Sequence, residues 1–590
     1  MTPIFPSLDS PQFTAGFQEV EQKIQSLGKL FDAEGISALE TVPATDSALI
    51  ARFEQVTHAF NDTLESVRVV RAYISSFVAT DSRNTQAQGL SSELRNVTLP
   101  LTLLSTRYTA WLGSLNIDEL IAQSPLAADH AYYLHEAKVA SEHLLSPREE
   151  ELVAELALSG ASAWSRLYND FTSQISVPFQ RQEDKPAEPT PISVIRALAT
   201  DANREVRRQA YQAELQTWET SALPLAAAMN SLKHEAAIMA KRREWGTPLD
   251  SALFGNHIDR ETLEAMLSAA RKSFPDFRRY LRAKAKMLSG EAQLPWFDLF
   301  APIGTMSRAW TWETAEAFVA EKFGTYSAKM QAFAERAFRE KWIDAEPRPG
   351  KRDGAFCMGV RADESRIMQN YRPAFGGVST LAHELGHAYH NTCLAHRTPL
   401  QRGTPMTLAE TASIFCETII RHAAMAEADE REQLAILEAT LQGQCQVVVD
   451  ITSRFLFEER TIKARQKREL SVEELCDIMR QAQLETYGDG LDPNYLHPYM
   501  WAAKPHYYGS NFYNFPYMFG LLFGMGLYAL YQQNPDEFRG QYDELLSFTG
   551  METAASLAER FGIHIREETF WAGSLNLIRT DIDRFESFAK

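Results

Sequence analysis

Apolar residues recur at three- and four-residue intervals almost from one end of this 590-residue chain to the other. That period commits the chain to packed helices. Ser10-Pro11 opens the first such stretch, with Phe13, Phe17, Val20, Ile24, Leu27 and Phe31 on one stripe. Glu567-Glu-Thr-Phe-Trp571 begins the last. Runs that alternate as strands do are few and cluster around residues 355–371, where Arg366-Ile-Met-Gln-Asn-Tyr371 reads as a short strand. The expected fold is therefore mostly α-helical with one small β element. Length allows a few domains or one unusually large helical body. The clearest break is the polar, proline-rich run from Gln180 to Pro191, a linker or a surface hairpin. It divides an N-terminal helical domain, 1–190, from a larger body, 191–590. Further breaks fall at Asp344–Gly354 and Tyr487–Pro493, and no repeat of solenoid period is present.

A net charge of −18 argues against a nucleic-acid partner and against adsorption to an anionic membrane. Phe515 to Tyr531 is almost uncharged and contains Gly520-x-x-x-Gly524, the small-residue spacing of membrane helix pairs. It is shorter than the roughly 20 apolar residues a span needs, and Pro516 interrupts it, so a buried core helix is expected. The first residues (Met-Thr-Pro-Ile-Phe-Pro) lack the basic and apolar regions of a secretory signal. Five cysteines, an odd number with no close pairs, fit a reducing cytoplasm.

His383-Glu-Leu-Gly-His387 carries the chemistry. On a helix, positions i and i+4 lie on one face, so both imidazoles can reach one metal ion. Two imidazoles and a carboxylate with one open position suit zinc best. Glu384 is placed to take a proton from metal-bound water. Phe375-Gly376-Gly377 reads as a turn ahead of the helix, with Ser379 or Thr380 as its cap. Gly386, a poor helix former, would let another element approach the backbone beside the metal.

A third ligand must come from elsewhere. Three histidines on one straight helix cannot converge on one ion, so His390 is read as a neutral packing or supporting residue. Cys393 falls where one longer zinc pattern has its third histidine, but His390 stands where that pattern requires glycine. The best remaining candidate is Glu410, on what reads as a second helix crossing the first. The competing reading makes Thr407-x-x-Glu410 a capping box. A cap does not account for Glu417, seven residues on and on the same face, whereas one acid ligating and the other orienting a histidine ring explains both. Cys416, in the same helix, reads as a small core residue.

His383-Glu-Leu-Gly-His387 followed by Glu410-Thr-Ala-Ser-Ile-Phe-Cys-Glu417 resembles the thimet oligopeptidase and oligoendopeptidase F family of zinc metallopeptidases. Gly350-Lys-Arg-Asp-Gly-Ala-Phe356 looks like the segment ahead of that family's metal helix. Asp201 to Tyr211 looks like the helix opening its main helical region. His506 through Gly520 looks like its C-terminal transition-state segment. The resemblance spans roughly residues 110–585 and follows the oligoendopeptidase F branch most closely.

The resemblance implies two helical lobes around a deep substrate channel. It implies one zinc ion held by His383, His387 and Glu410, with Glu384 as general base. His506, Tyr513 and Tyr517 match positions that donate to the oxyanion or contact substrate, while Gly520 falls where some members carry another tyrosine. The implied activity is a cytoplasmic endopeptidase cutting short unstructured oligopeptides. A dipeptidyl carboxypeptidase with the same metal site is the alternative, and would need a cation for the substrate carboxylate, with Lys351, Arg352, Arg361 and Arg366 as candidates. A peptide-binding protein without catalysis is the other, disfavoured by the intact Glu384.

Overall fold

The computed structural model describes residues 1–181, 186–304, 308–361 and 363–589. Its first helix, Pro11–Ala33, starts where the Ser10 side chain accepts from the Phe13 amide and Pro11 presets the first turn. All six residues of the expected stripe are buried. They pack with helices Ser47–Thr80 and Thr85–Gly113 into an apolar core drawn from Leu8 to Ala137. Trp111 and Tyr108 are fully buried in it, the Tyr108 hydroxyl 2.6 Å from Thr57 Oγ1.

A second and larger core runs from Tyr168 to Phe585. Its long members are Arg204–Arg242, capped by Asn203, and Arg260–Ser289, which packs along the final helix Glu568–Phe588. The proline-rich break at 180–191 is a hairpin: β1 (Ser176–Phe179) pairs antiparallel with β2 (Glu188–Pro191), residues 182–185 lying outside the described residues.

The small β element has three strands in the order β3 (Ile343–Asp344), β5 (Glu364–Gln369), β4 (Ala355–Arg361). β3 runs parallel to β5, and β4 antiparallel to it, which leaves β4 as an edge strand. Its central strand and edge both lie against helix Phe375–Cys393, which carries the His-Glu-Leu-Gly-His motif. Lys351 ties this sheet together from within. Its ammonium bonds Asp344 Oδ1 at 2.8 Å and the Gln369 carbonyl at 2.7 Å, so it is a structural cation. Arg366 is likewise held by Glu364 at 3.0 Å, and Arg361 reaches Glu364 and the Pro3 carbonyl.

Residues 515–533 form one helix whose first fourteen positions are almost wholly buried. No helix among the described residues is long and apolar enough to cross a membrane. The Gly520-x-x-x-Gly524 spacing serves a crossing within the core instead. A Cβ on Gly520 would stand 2.7 Å from Glu410 Cβ, and one on Gly524 would stand 2.8 Å from Ile414 Cβ.

Candidate active site

Two elements cross at the motif, and a third packs against the second of them. The motif helix begins at Phe375, with Ala374 before it and no side-chain cap, so Gly376 and Gly377 belong to its first turn. The expected turn there, with Ser379 or Thr380 capping, is corrected on this point. Gly377 is required because a Cβ would lie 2.3 Å from the Arg372 carbonyl oxygen. Ser379, released from capping, donates to Glu417 Oε1 at 2.8 Å.

The second element is a broken helix. A single turn, Met406–Ala409, ends at Glu410, and the longer helix Thr411–Glu427 starts on its other side. Glu410 is thus a hinge residue between two helices, where one continuous helix was expected. No capping box forms either, because Thr407 Oγ1 donates to the Asn256 carbonyl at 2.6 Å. The long helix crosses the motif helix at Gly386, where a Cβ would stand 2.6 Å from Ser413 Cα and 2.7 Å from the Ala412 carbonyl oxygen.

That close crossing brings His383, His387 and Glu410 together, with one ligand atom of each lying within 4.8 Å of the others. Glu410 Oε2 is 3.2 Å from His383 Nε2 and 3.4 Å from His387 Nε2. Ser413 Oγ also donates to it, at 2.6 Å. On the far side of the His383 ring, Nδ1 meets Glu417 Oε2 at 3.1 Å. A carboxylate on Nδ1 fixes the ring and directs Nε2 inward, the usual arrangement behind a metal-bound imidazole. The donor set of two imidazoles and one carboxylate fits a zinc ion.

The fields around these groups agree with a cation-seeking site. Burial opposes charge on His383, but hydrogen bonds to Glu410 and Glu417 outweigh it and push its pKa well up. Burial also works against an ionised Glu410, yet the two histidines hold its carboxyl down at about 2. His387 is kept neutral chiefly by burial, its pKa down at about 4. Glu384, only 5% exposed, is raised to about 7 mainly by burial, with His383 pulling the other way. Its Oε2 has no hydrogen-bond partner among the described residues. His390 is buried and engaged elsewhere, with Nε2 2.8 Å from Thr549 Oγ1.

The third part is the stretch from His506 to Tyr517: His506 opens a short helix, His506–Gly509, Tyr513 lies between helices, and Tyr517 is in the first turn of the helix Phe515–Gln533. The His506 ring stacks on Tyr513 with centroids 4.9 Å apart, and the Tyr513 and Tyr517 hydroxyls are 3.5 Å apart. Tyr517 lies one helical turn before Gly520, the glycine under Glu410, and feels that carboxylate's charge. Burial, then Tyr513, raises the Tyr517 pKa far above the ordinary range, so its hydroxyl stays a donor. Burial, followed by Arg454 and Lys504, lowers that of His506. Phe512, just before Tyr513, has φ of 51°, a left-handed backbone that a bulky residue adopts only under constraint.

A buried ion pair anchors the residues just before it. Lys233 Nζ meets Glu458 Oε1 at 2.6 Å with both side chains nearly solvent-free, and it also bonds Asn511 Oδ1 at 3.0 Å. Lys233→Ala would strand Glu458 without a partner, and is expected to destabilise the fold by about 3–5 kcal/mol. Urea denaturation checks it; a loss under about 1 kcal/mol would mean the pair is not a brace.

Sequence reasoning missed Ser413, Lys233 and the hinge at Glu410. Ser413, three residues beyond Glu410, was within reach of a spacing argument. Lys233 was not, since its partners lie more than two hundred residues away.

A helical body with a small sheet against a His-Glu-Leu-Gly-His helix defines a peptidase, and comparison with known proteins is specific about which kind. The profile of Peptidase family M3 matches residues 197–577, and that of Oligopeptidase F matches residues 112–176. The chain belongs to Peptidase family M3. Among curated relatives, the group B oligopeptidase PepB of Streptococcus agalactiae is 26% identical over 413 residues, 69% of this chain and 68% of its own. An oligoendopeptidase F homolog of Lactococcus lactis is 24% identical over 489 residues, 82% of this chain and 79% of its own. Among solved structures, a putative peptidase from Chlamydophila abortus superposes with a TM-score of 0.80 at 20% identity, covering 96% of this chain and 97% of that one. Oligoendopeptidase-F from Enterococcus faecium superposes at 0.71 with 17% identity, covering 98% of each chain.

Proposed function

We propose that this peptidase is a zinc-dependent oligoendopeptidase that cuts internal bonds of short unstructured peptides. The observation that carries the reading is the convergence of His383, His387 and Glu410, with Glu417 behind the first ring and Glu384 beside it. His383, His387 and Glu410 would hold one zinc ion. Zinc supplies a Lewis acid that acidifies water and polarises a carbonyl.

The protein's own groups do the rest. Glu384, with no competing hydrogen bond on Oε2 among the described residues, accepts the proton of the attacking water and returns it to the leaving amine. Tyr517, Tyr513 and His506 direct donors toward the oxyanion, where removing one donor typically costs about 100- to 1,000-fold in rate. Glu417 holds the His383 ring, so Glu417→Gln is expected to weaken metal binding about 10- to 100-fold. Competition with a chromophoric chelator measures this; an unchanged affinity would remove Glu417 from the site.

The two separate apolar cores support the division into an N-terminal helical domain, 1–190, and a catalytic domain, 191–590, although Tyr168 and Phe179 already pack in the second core. We read the two lobes as walls of the substrate channel. Five free cysteines support a cytoplasmic setting.

The test is mass spectrometry of products from a ladder of unstructured peptides with free and amidated C-termini. Internal cuts in both forms, with an upper length limit, are expected. Stepwise loss of two residues from free C-termini alone would make the chain a dipeptidyl carboxypeptidase, and no cleavage with added zinc would leave a binding protein.

A further inference from the structure

A cavity of about 250 Å³ opens beside the long helix Arg204–Arg242, and none of His383, His387 and Glu410 lines it. Tyr211, Trp296, Phe297 and Tyr487 give it aromatic walls. One wall is the segment Gln446–Asp450, a π-helical turn between helices Glu430–Cys445 and Ile451–Arg465. Such turns widen a helix locally and are frequent at ligand sites.

The carboxylates and guanidiniums around the cavity are paired with one another, while the buried His497 ring makes no hydrogen bond among the described residues. Arg196 Nε meets Glu214 Oε1 at 3.0 Å, and His497 Nε2 meets the same oxygen at 3.3 Å. Arg207 Nη2 meets Asp298 Oδ1 at 2.7 Å, and Asp450 pairs with Arg454. Lys504 also lines the cavity, yet among the described residues its ammonium makes no hydrogen bond or ion pair. Burial, then repulsion from Arg454, draws its pKa down to about 7 against the weaker pull of Asp450 and Glu214, neither of which pairs with it directly.

We propose that this cavity is a second ligand site, which takes a small organic carboxylate with an apolar side chain and uses Lys504 as its counter-ion. The volume admits one or two residues of a peptide, and the aromatic walls suit an apolar group. A phosphate would call for a free guanidinium or several cations, and both arginines of the wall are already engaged. The carboxylate has two possible sources, the C-terminal residue of a substrate peptide or a released product. Lys504 lies two residues before His506, and its charge is felt at that ring, so occupancy reaches the donor cluster of the proposed active site.

The probe is N-acetylphenylalanine against N-acetylphenylalaninamide, followed by Trp296-dependent fluorescence and by calorimetry on the whole enzyme. The acid is expected to bind roughly 10- to 100-fold more tightly than the amide, the range of a charged hydrogen bond. Lys504→Met, which replaces an unpaired cation with an apolar chain of similar length, is expected to keep the fold and erase the difference. Thr200→Trp, at an exposed lining position, is expected to weaken both ligands. Equal binding of acid and amide, or a preference that survives Lys504→Met, overturns the proposal.

A kinetic arm separates the sources and rests on the endopeptidase reading. If the substrate's own end occupies the cavity, Lys504→Met raises KM for free-ended peptides and leaves amidated ones unchanged. If a product does, KM is unchanged for both and N-acetylphenylalanine alters kcat in wild type only. The binding arm stands whether or not the peptide cuts are internal.

Discussion

Replacing Glu384 by glutamine is expected to lower kcat by about 100- to 10,000-fold, the range of general acid–base assistance, while metal content stays at the wild-type level. Glutamine keeps the shape of the side chain, so the motif helix and its crossing at Gly386 are undisturbed. It cannot take a proton. Among the described residues the neighbouring acids Glu410 and Glu417 are committed to histidines, which leaves Glu384 as the acid with an unengaged oxygen. The carboxylate is also expensive where it stands. Burial raises its pKa to about 7 against the attraction of His383. A group held at such a cost suits a proton shuttle near neutrality better than a brace. Single-turnover assays with metal quantified on the same sample decide the matter. Wild-type turnover with metal bound would end the assignment of Glu384 as base.

What was legible in the sequence follows from how far each inference had to reach. The motif helix was readable because i and i+4 share a face on any helix, whatever surrounds it. The N-terminal stripe was readable for the same reason, and its six residues are all buried. Gly386 was legible as a point of close approach because glycine inside a helix is otherwise a cost. Gly376 and Gly377 were misread by the opposite logic: glycines ahead of a periodic run suggest a turn, whereas Gly377 is there to clear the Arg372 carbonyl. Ser379 looked like a cap because serine usually is one at such a place, and it is drawn instead to Glu417. The break at Glu410 had no local signature, since Met406 to Glu427 is helical in pattern on both sides. The contacts around it come from Gly520 and Asn256, more than a hundred residues away in either direction. Lys504 was equally silent, because a lysine read alone is a solvated charge until a cavity is seen around it.

The largest effect on the geometry of the metal site is expected from one methyl group on Gly386. A Cβ there would fall 2.6 Å from Ser413 Cα, 2.7 Å from the Ala412 carbonyl oxygen and 2.9 Å from the Ala412 carbonyl carbon. All three are backbone atoms, so no side chain can swing aside, and the helix Thr411–Glu427 must move. Alanine is intrinsically the better helix former by about 1 kcal/mol, so any net loss reports the clash. Overpacking of this kind typically costs about 1–3 kcal/mol, and here the displaced segment begins at Glu410. Each 1.4 kcal/mol or so taken from metal binding is a tenfold loss of affinity. Gly386→Ala is therefore expected to lower both the denaturation midpoint and the metal affinity, the latter at least about tenfold. Gly443→Ala is the control. It also lies inside a helix, but a Cβ there meets nothing within 4 Å, and a gain of about 0.4–1 kcal/mol with unchanged metal binding is expected. If Gly386→Ala matched that control in both measurements, the close crossing of the two helices would not be what brings Glu410 to the histidines.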